Sequence, residues 1–150
     1  MPSDVVIRGR AGGGAVNGTH APSALPFLAA SVPAGFPSHA DDYLEGALDL
    51  NEHLIRHPAA TFFLRVLGDS MTGAGIHSGD LLVVDRSIRP VDGKIVIAVI
   101  DGELTVKRLH RRRGRIRLLP ENPRYRPIDV SGEQDLHIWG VVAHAIHSFV

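Results

Sequence analysis

Ile95-Val96-Ile97-Ala98-Val99-Ile100-Asp101-Gly102-Glu103-Leu104-Thr105-Val106-Lys107 is the stretch that decides the fold. Two apolar, β-branched runs flank Asp-Gly, and both central residues of a type I′ turn need positive φ, so the segment reads as a two-residue β-hairpin. The turn also sets the register. Ile100 pairs with Glu103, which brings Val96 opposite Lys107.

Working outward, strands are expected at residues 61–67, 80–85, 94–100, 103–109, 116–119 and 136–146, separated by Gly, Pro and Asp. The fold class is therefore mainly β. Upstream, Ser38 with Asp41 and Asp49 with Glu52 have the spacing of helix N-terminal caps, which predicts two short helices. The second is expected over residues 50–55, with Leu50, Leu54 and Ile55 inward, stopping before Pro58 because the proline ring disfavours helix at His57. Residues 1–34 hold five glycines, four prolines and one acidic group without apolar periodicity, and read as a flexible N-terminal arm. Within it, residues 25–32 have the composition to dock as an extended peptide. The expected organisation is an arm at 1–34 and a β-rich domain at 35–150.

The chain has 150 residues, 44% of them hydrophobic, enough for one sizeable core. It has no cysteine, which excludes disulfides, thiolate nucleophiles and thiolate metal sites. The longest apolar run, residues 95–100, is far short of the roughly 20 residues of a membrane-spanning helix, and no secretory signal is legible, so the expected location is the cytoplasm. Net charge is zero but uneven: residues 107–126 carry 9 basic and 1 acidic groups, against 7 and 12 in residues 1–106. The basic run His110-Arg111-Arg112-Arg113-Gly114-Arg115 reads first as a solvated hairpin tip.

Residues 64–67, Leu-Arg-Val-Leu, lead into Gly68-Asp69-Ser70-Met71, where a glycine turn presents a serine hydroxyl. Serine needs an adjacent base to act as a nucleophile. The fragment lacks the second glycine of a nucleophile elbow, and no motif selects any of the nine histidines as the base. Lysine usage is more informative, because only Lys94 and Lys107 occur among 16 basic residues. Arginine stays protonated, whereas an amine held in an apolar site loses the hydration that favours its charged form and can accept a serine proton. From the residues alone, Ser70 could equally be a cap and Lys107 a solvated strand residue. His53 and His57, at i and i+4, lack a third ligand, and His144 and His147 fall on opposite faces of an expected strand, so no metal is expected. Gly12-Gly13-Gly14 has no Lys-Ser/Thr sequel, so no phosphate-cradling loop and no cofactor are expected either.

Five ordered blocks carry a resemblance: residues 34–38 (Ala-Gly-Phe-Pro-Ser), 49–51 (Asp-Leu-Asn), 68–71 (Gly-Asp-Ser-Met), 79–85 (Gly-Asp-Leu-Leu-Val-Val-Asp) and 101–107 (Asp-Gly-Glu-Leu-Thr-Val-Lys). Together they resemble the UmuD-like branch of the LexA-like self-cleaving serine proteases, the S24 type, from about Val32 to Val142. The resemblance implies a LexA/signal-peptidase-like β-rich catalytic domain. In it Ser70 attacks the Ala34-Gly35 bond of the arm, Lys107 is the base, backbone N–H groups of Asp69 and Ser70 stabilise the oxyanion, and Val32 anchors the arm. It further implies cleavage stimulated by a RecA filament on single-stranded DNA, and a shortened product serving a UmuC-like translesion polymerase, as a homodimer. Thirty-four glycine-rich residues cannot hold a helix-turn-helix unit, so sequence-specific DNA binding is not expected. The competing expectations are a non-catalytic interaction subunit of a polymerase or filament, and a signal-peptidase-like enzyme, which the absent anchor disfavours.

Overall fold

The computed structural model describes residues 5–6, 24–28, 32–36 and 44–150. In chain order its strands are β1 (Val5–Val6), β2 (Leu25–Leu28), β3 (Leu44–Leu48), β4 (Thr61–Val66), β5 (Leu81–Asp85), β6 (Ile95–Ile100), β7 (Glu103–Arg112), β8 (Arg115–Leu119), β9 (Ile128–Val130) and β10 (Leu136–Ile146). A single α-helix, α1 (Leu50–Leu54), is present among the described residues, with 3-10 turns at Pro58–Ala60 and Thr72–Ala74. Of these residues, 5–6 and 57–150 form one compact unit, and 24–28, 32–36 and 44–56 form another.

The larger unit is one antiparallel sheet in the order β1-β4-β5-β10-β6-β7-β8-β9. The deciding hairpin is present as read: Ile100 pairs with Glu103 and Val96 with Lys107, and Asp101 and Gly102 have φ of 48° and 82°. β1 approaches β7 although four strands separate them in the sheet order, so the sheet curls. Alternate side chains of β6 enter two apolar clusters. Ile97 packs with Leu64, Val66, Met71, Ile76, Leu82, Val84 and Val106, while Val96 and Ala98 pack with Leu109, Leu118 and Val141. Burial on both faces explains why β6 is apolar throughout instead of alternating. Each buried Val, Leu, Ile or Met among them contributes about 1.5–3 kcal/mol.

The basic run forms the exposed tip of the β7–β8 hairpin, as expected. β7 continues to Arg112, so His110, Arg111 and Arg112 are strand residues and the turn is only Arg113-Gly114, both at positive φ. Asp92 accepts from the Arg111 N–H at 2.8 Å and, beyond the run, Asp129 accepts from Arg117 at 2.8 Å. β9, without a strong apolar pattern of its own, forms because its backbone completes the β8 edge.

In the smaller unit β2 pairs with β3. α1 begins where Asp49 predicts, and the Asp49 carboxylate accepts from the Asn51 N–H at 2.9 Å. The expected inward face is only partly formed, since Leu54 and Ile55 are half-buried but Leu50 is 55% exposed. Leu50 lies in the first turn of the helix, which is exposed throughout. The helix expected from Ser38 falls mostly outside the described residues, and residues 44–48 are strand, not helix.

Candidate active site

β4 ends at Val66, and the chain turns through Gly68, with φ 99°, before Ser70 and the 3-10 turn. That turn is held from two sides. On one, Val66 N–H donates to the Asp80 carbonyl at 2.9 Å, Gly79 N–H to the Val66 carbonyl at 2.8 Å, and Gly68 N–H to Ser78 Oγ at 3.1 Å. On the other, Glu121 N–H donates to the Ser70 carbonyl at 2.8 Å, and Gly73 N–H to the Glu121 carbonyl at 2.7 Å. Gly73 has to be glycine for this approach, because a Cβ there would lie 2.5 Å from the Glu121 carbonyl oxygen.

Lys107 reaches the same point from β7. Pairing with Val96 buries its stem, and period-2 alternation puts Thr105 on its face. Lys107 Nζ lies 2.9 Å from Ser70 Oγ, 2.9 Å from Thr105 Oγ1 and 3.1 Å from the Val106 carbonyl oxygen. Ser70 is 1% exposed and Lys107 5%. The two residues singled out from sequence, 37 positions apart, are thus brought into hydrogen-bond contact inside the apolar core. A neutral amine at this distance can take the hydroxyl proton and leave an alkoxide aligned for attack.

Asp69 lies in the turn with both ends occupied. Its carbonyl accepts from Asn122 Nδ2 at 2.8 Å and from Thr72 Oγ1 at 3.2 Å, and its carboxylate accepts from the Tyr125 hydroxyl. Glu121, Asn122, Tyr125, Gly73 and Thr105 therefore support the site. Thr105 was within reach of strand periodicity, whereas the others depend on a contact across about fifty residues that has no local signal. Val32, Ala34 and Gly35 lie in the smaller unit, exposed, with a bend at 34–36. Lys94, the other lysine, precedes β6, and its N–H closes a turn onto the Val91 carbonyl at 3.2 Å.

Two further buried acids lie in this unit. Asp85 Oδ2 is 2.7 Å from His57 Nδ1, and Asp85 Oδ1 accepts from the Ser87 N–H and hydroxyl at 2.8 and 2.6 Å. Burial alone raises the Asp85 carboxyl, but Ser87 and His57 outweigh it and hold it below the ordinary carboxylate value. Asp80 is balanced in the same way, with burial opposed by the His77 N–H and by His147. Among the described residues no buried side-chain nitrogen or oxygen lacks a partner. No metal was expected from the residue spacing, yet His77, Asp80 and His147 place three ligand atoms within 4.8 Å of one another. No helix among the described residues is long and apolar enough to cross a membrane.

Comparison with known proteins places the chain among close relatives. The Peptidase S24-like family profile matches residues 26–143. Protein SamA of Salmonella typhimurium is 54% identical over 125 residues, covering 83% of this chain and 86% of SamA. Protein ImpA of Escherichia coli is 51% identical over 128 residues, covering 81% and 83% of the two chains. Protein MucA of Escherichia coli is 46% identical over 123 residues, covering 81% and 84%.

Proposed function

This chain belongs to the Peptidase S24-like family, and from that premise we propose that it is a self-cleaving serine endopeptidase acting on an Ala34-Gly35 bond. The bond is its own or that of a second copy. The observation that carries the proposal is the 2.9 Å contact between Lys107 Nζ and Ser70 Oγ, both buried.

With the amine neutral, the Ser70 hydroxyl donates its proton to Lys107 Nζ while Oγ bonds to the Ala34 carbonyl carbon. The carbonyl oxygen becomes an oxyanion, stabilised by the backbone N–H groups of Asp69 and Ser70, each such donor contributing on the order of 3 kcal/mol. As the tetrahedral centre collapses, the C–N bond breaks and the Lys107 ammonium returns a proton to the Gly35 amine. Water, deprotonated by the regenerated amine, then releases Ala34 from the ester and restores the Ser70 hydroxyl. Small residues on both sides of the bond let its carbonyl approach within about 3–3.5 Å of the nucleophile, and Val32 is the apolar anchor of the arm.

The domain boundary in this reading is the cut itself, with 1–34 removed and 35–150 retained. UmuD-like relatives at 46–54% identity support a role in SOS mutagenesis. In that role a RecA filament on single-stranded DNA stimulates cleavage in the cytoplasm, and the shortened chain, as a homodimer, serves a UmuC-like translesion polymerase. The test is to incubate the purified protein and follow its mass. Residues 1–34 should be lost from the parent, and the loss should vanish in Ser70→Ala. Equal cleavage by Ser70→Ala and the parent overturns the assignment.

A further inference from the structure

β5 and β10 run antiparallel, and their last described pair is Leu81 with Ile146. The next residues outward, Asp80 and His147, therefore face each other at the end of the ladder, and Asp80 Oδ1 lies 2.5 Å from His147 Nδ1. His77 closes the group from the preceding loop. Its N–H donates to Asp80 Oδ2 at 2.8 Å, and its ring Nδ1 is 3.8 Å from the same oxygen. The two imidazoles stand 4.8 Å apart between centroids.

We propose that His77, Asp80 and His147 form a binding site for a divalent transition-metal ion of the zinc class. Two imidazoles and one carboxylate are a borderline nitrogen and oxygen donor set, which suits Zn²⁺, Co²⁺ or Ni²⁺ and disfavours Ca²⁺ and Mg²⁺. Tetrahedral Zn²⁺ holds its ligand atoms about 3.3 Å apart, against the 4.8 Å span found here. Closing that gap falls to the histidines, whose side chains are 50% and 41% exposed, while Asp80 is 1% exposed and fixed. The His77 N–H on the second Asp80 oxygen is an outer-shell bond of the kind that orients a ligating carboxylate. The Phe149 ring meets His147 edge-on at 5.0 Å and shields one side. Three protein ligands leave a fourth position for water.

Position gives the site a consequence for the rest of the unit. The loop that carries His77 and Asp80 also holds Val66 and Gly68, the residues that lead into the Ser70 turn. A bound ion would staple the end of β10 to that loop. The proposal rests on the ligand geometry and not on the protease reading.

It is tested on the full chain carrying Ser70→Ala, which is blind to self-cleavage. Calorimetric titration with ZnCl₂ should show one saturable site per chain, Zn²⁺ should raise the melting temperature, and Co²⁺ should give ligand-field absorption. His77→Ala and His147→Ala should each weaken Zn²⁺ binding at least about 10-fold and cancel the thermal shift, whereas His53→Ala should leave both unchanged. Should an alanine variant fail to fold by circular dichroism, His77→Gln and His147→Gln carry the same test. Parent-like affinity in either folded histidine variant, or no saturable site in the parent, overturns the proposal.

Discussion

Lys107 and Asp85 are buried to nearly the same degree, 5% and 4% exposed, and satisfy their polar atoms in opposite ways. Lys107 turns inward to Ser70, itself 1% exposed, and also reaches Thr105 and the Val106 carbonyl. Asp85 turns outward, to a histidine whose side chain is 55% exposed and to Ser87, two residues along the chain. An ionised acceptor served by N–H and O–H donors at the margin of the core stabilises the fold, since charge-assisted hydrogen bonds contribute about 1.5–3 kcal/mol each. Buried polar groups of this unit are thus satisfied in two ways, across the core and at its margin.

The largest break in that comparison is Lys107→Met. Methionine nearly matches the lysine stem in length and needs no hydration, so the melting temperature should stay level or rise, while cleavage should fall on the order of 10⁴-fold or more if the base is essential. Thermal unfolding beside a mass-resolved cleavage assay reads both. A clear drop in melting temperature would show that Lys107 holds the fold in the manner of Asp85.

Asp85→Asn acts in the reverse sense. It removes an ionised acceptor from three donors, and urea unfolding should show a loss of about 2–3 kcal/mol, with cleavage by the folded fraction little changed. The pH dependence follows from the lowered carboxyl. At acid pH the unfolded chain binds the proton more readily than the folded one, so stability from Asp85 is fully present above the ordinary carboxylate value of about 3.9. It is lost as pH falls through the lower folded value. Stability should therefore fall less steeply below about pH 4 in Asp85→Asn than in the parent. Superimposable acid profiles of parent and variant would remove Asp85 from the account.

What could be read in advance follows the range of the signal. Asp101-Gly102 is local, and it fixed the β6–β7 pairing down to Val96 with Lys107. The limits of β10 were equally legible, because Leu136 to Ile146 is bounded by polar residues on one side and loses its apolar pattern on the other. Asp49 marked the start of α1, but one turn of helix was too short to bury Leu50. β9 and the β2–β3 pair escaped, since a strand of three to five residues is made by its neighbour's exposed edge and not by its own periodicity. The same holds for the site. Ser70 and Lys107 were eligible from turn and strand chemistry, whereas the segment from Glu121 to Tyr125 that cradles the Ser70 turn became visible only once the chain had folded.

That cradle offers the finest test of the comparison. The Tyr125 hydroxyl donates to the Asp69 carboxylate, and the Asn122 amide holds the Asp69 carbonyl at 2.8 Å. Both bonds fall on Asp69, so their effect on cleavage would pass through the position of the Asp69 and Ser70 N–H groups. Tyr125→Phe deletes one part-buried hydrogen bond, and its expected cost is about 1 kcal/mol, several-fold in the cleavage rate. If the turn is positioned for oxyanion binding, that loss should appear in the rate at every pH, with the shape of the pH profile unchanged because the base is untouched. If Tyr125 only braces the fold, as Asp85 does, the same loss should appear in the urea midpoint and the rate of the folded protein should not move.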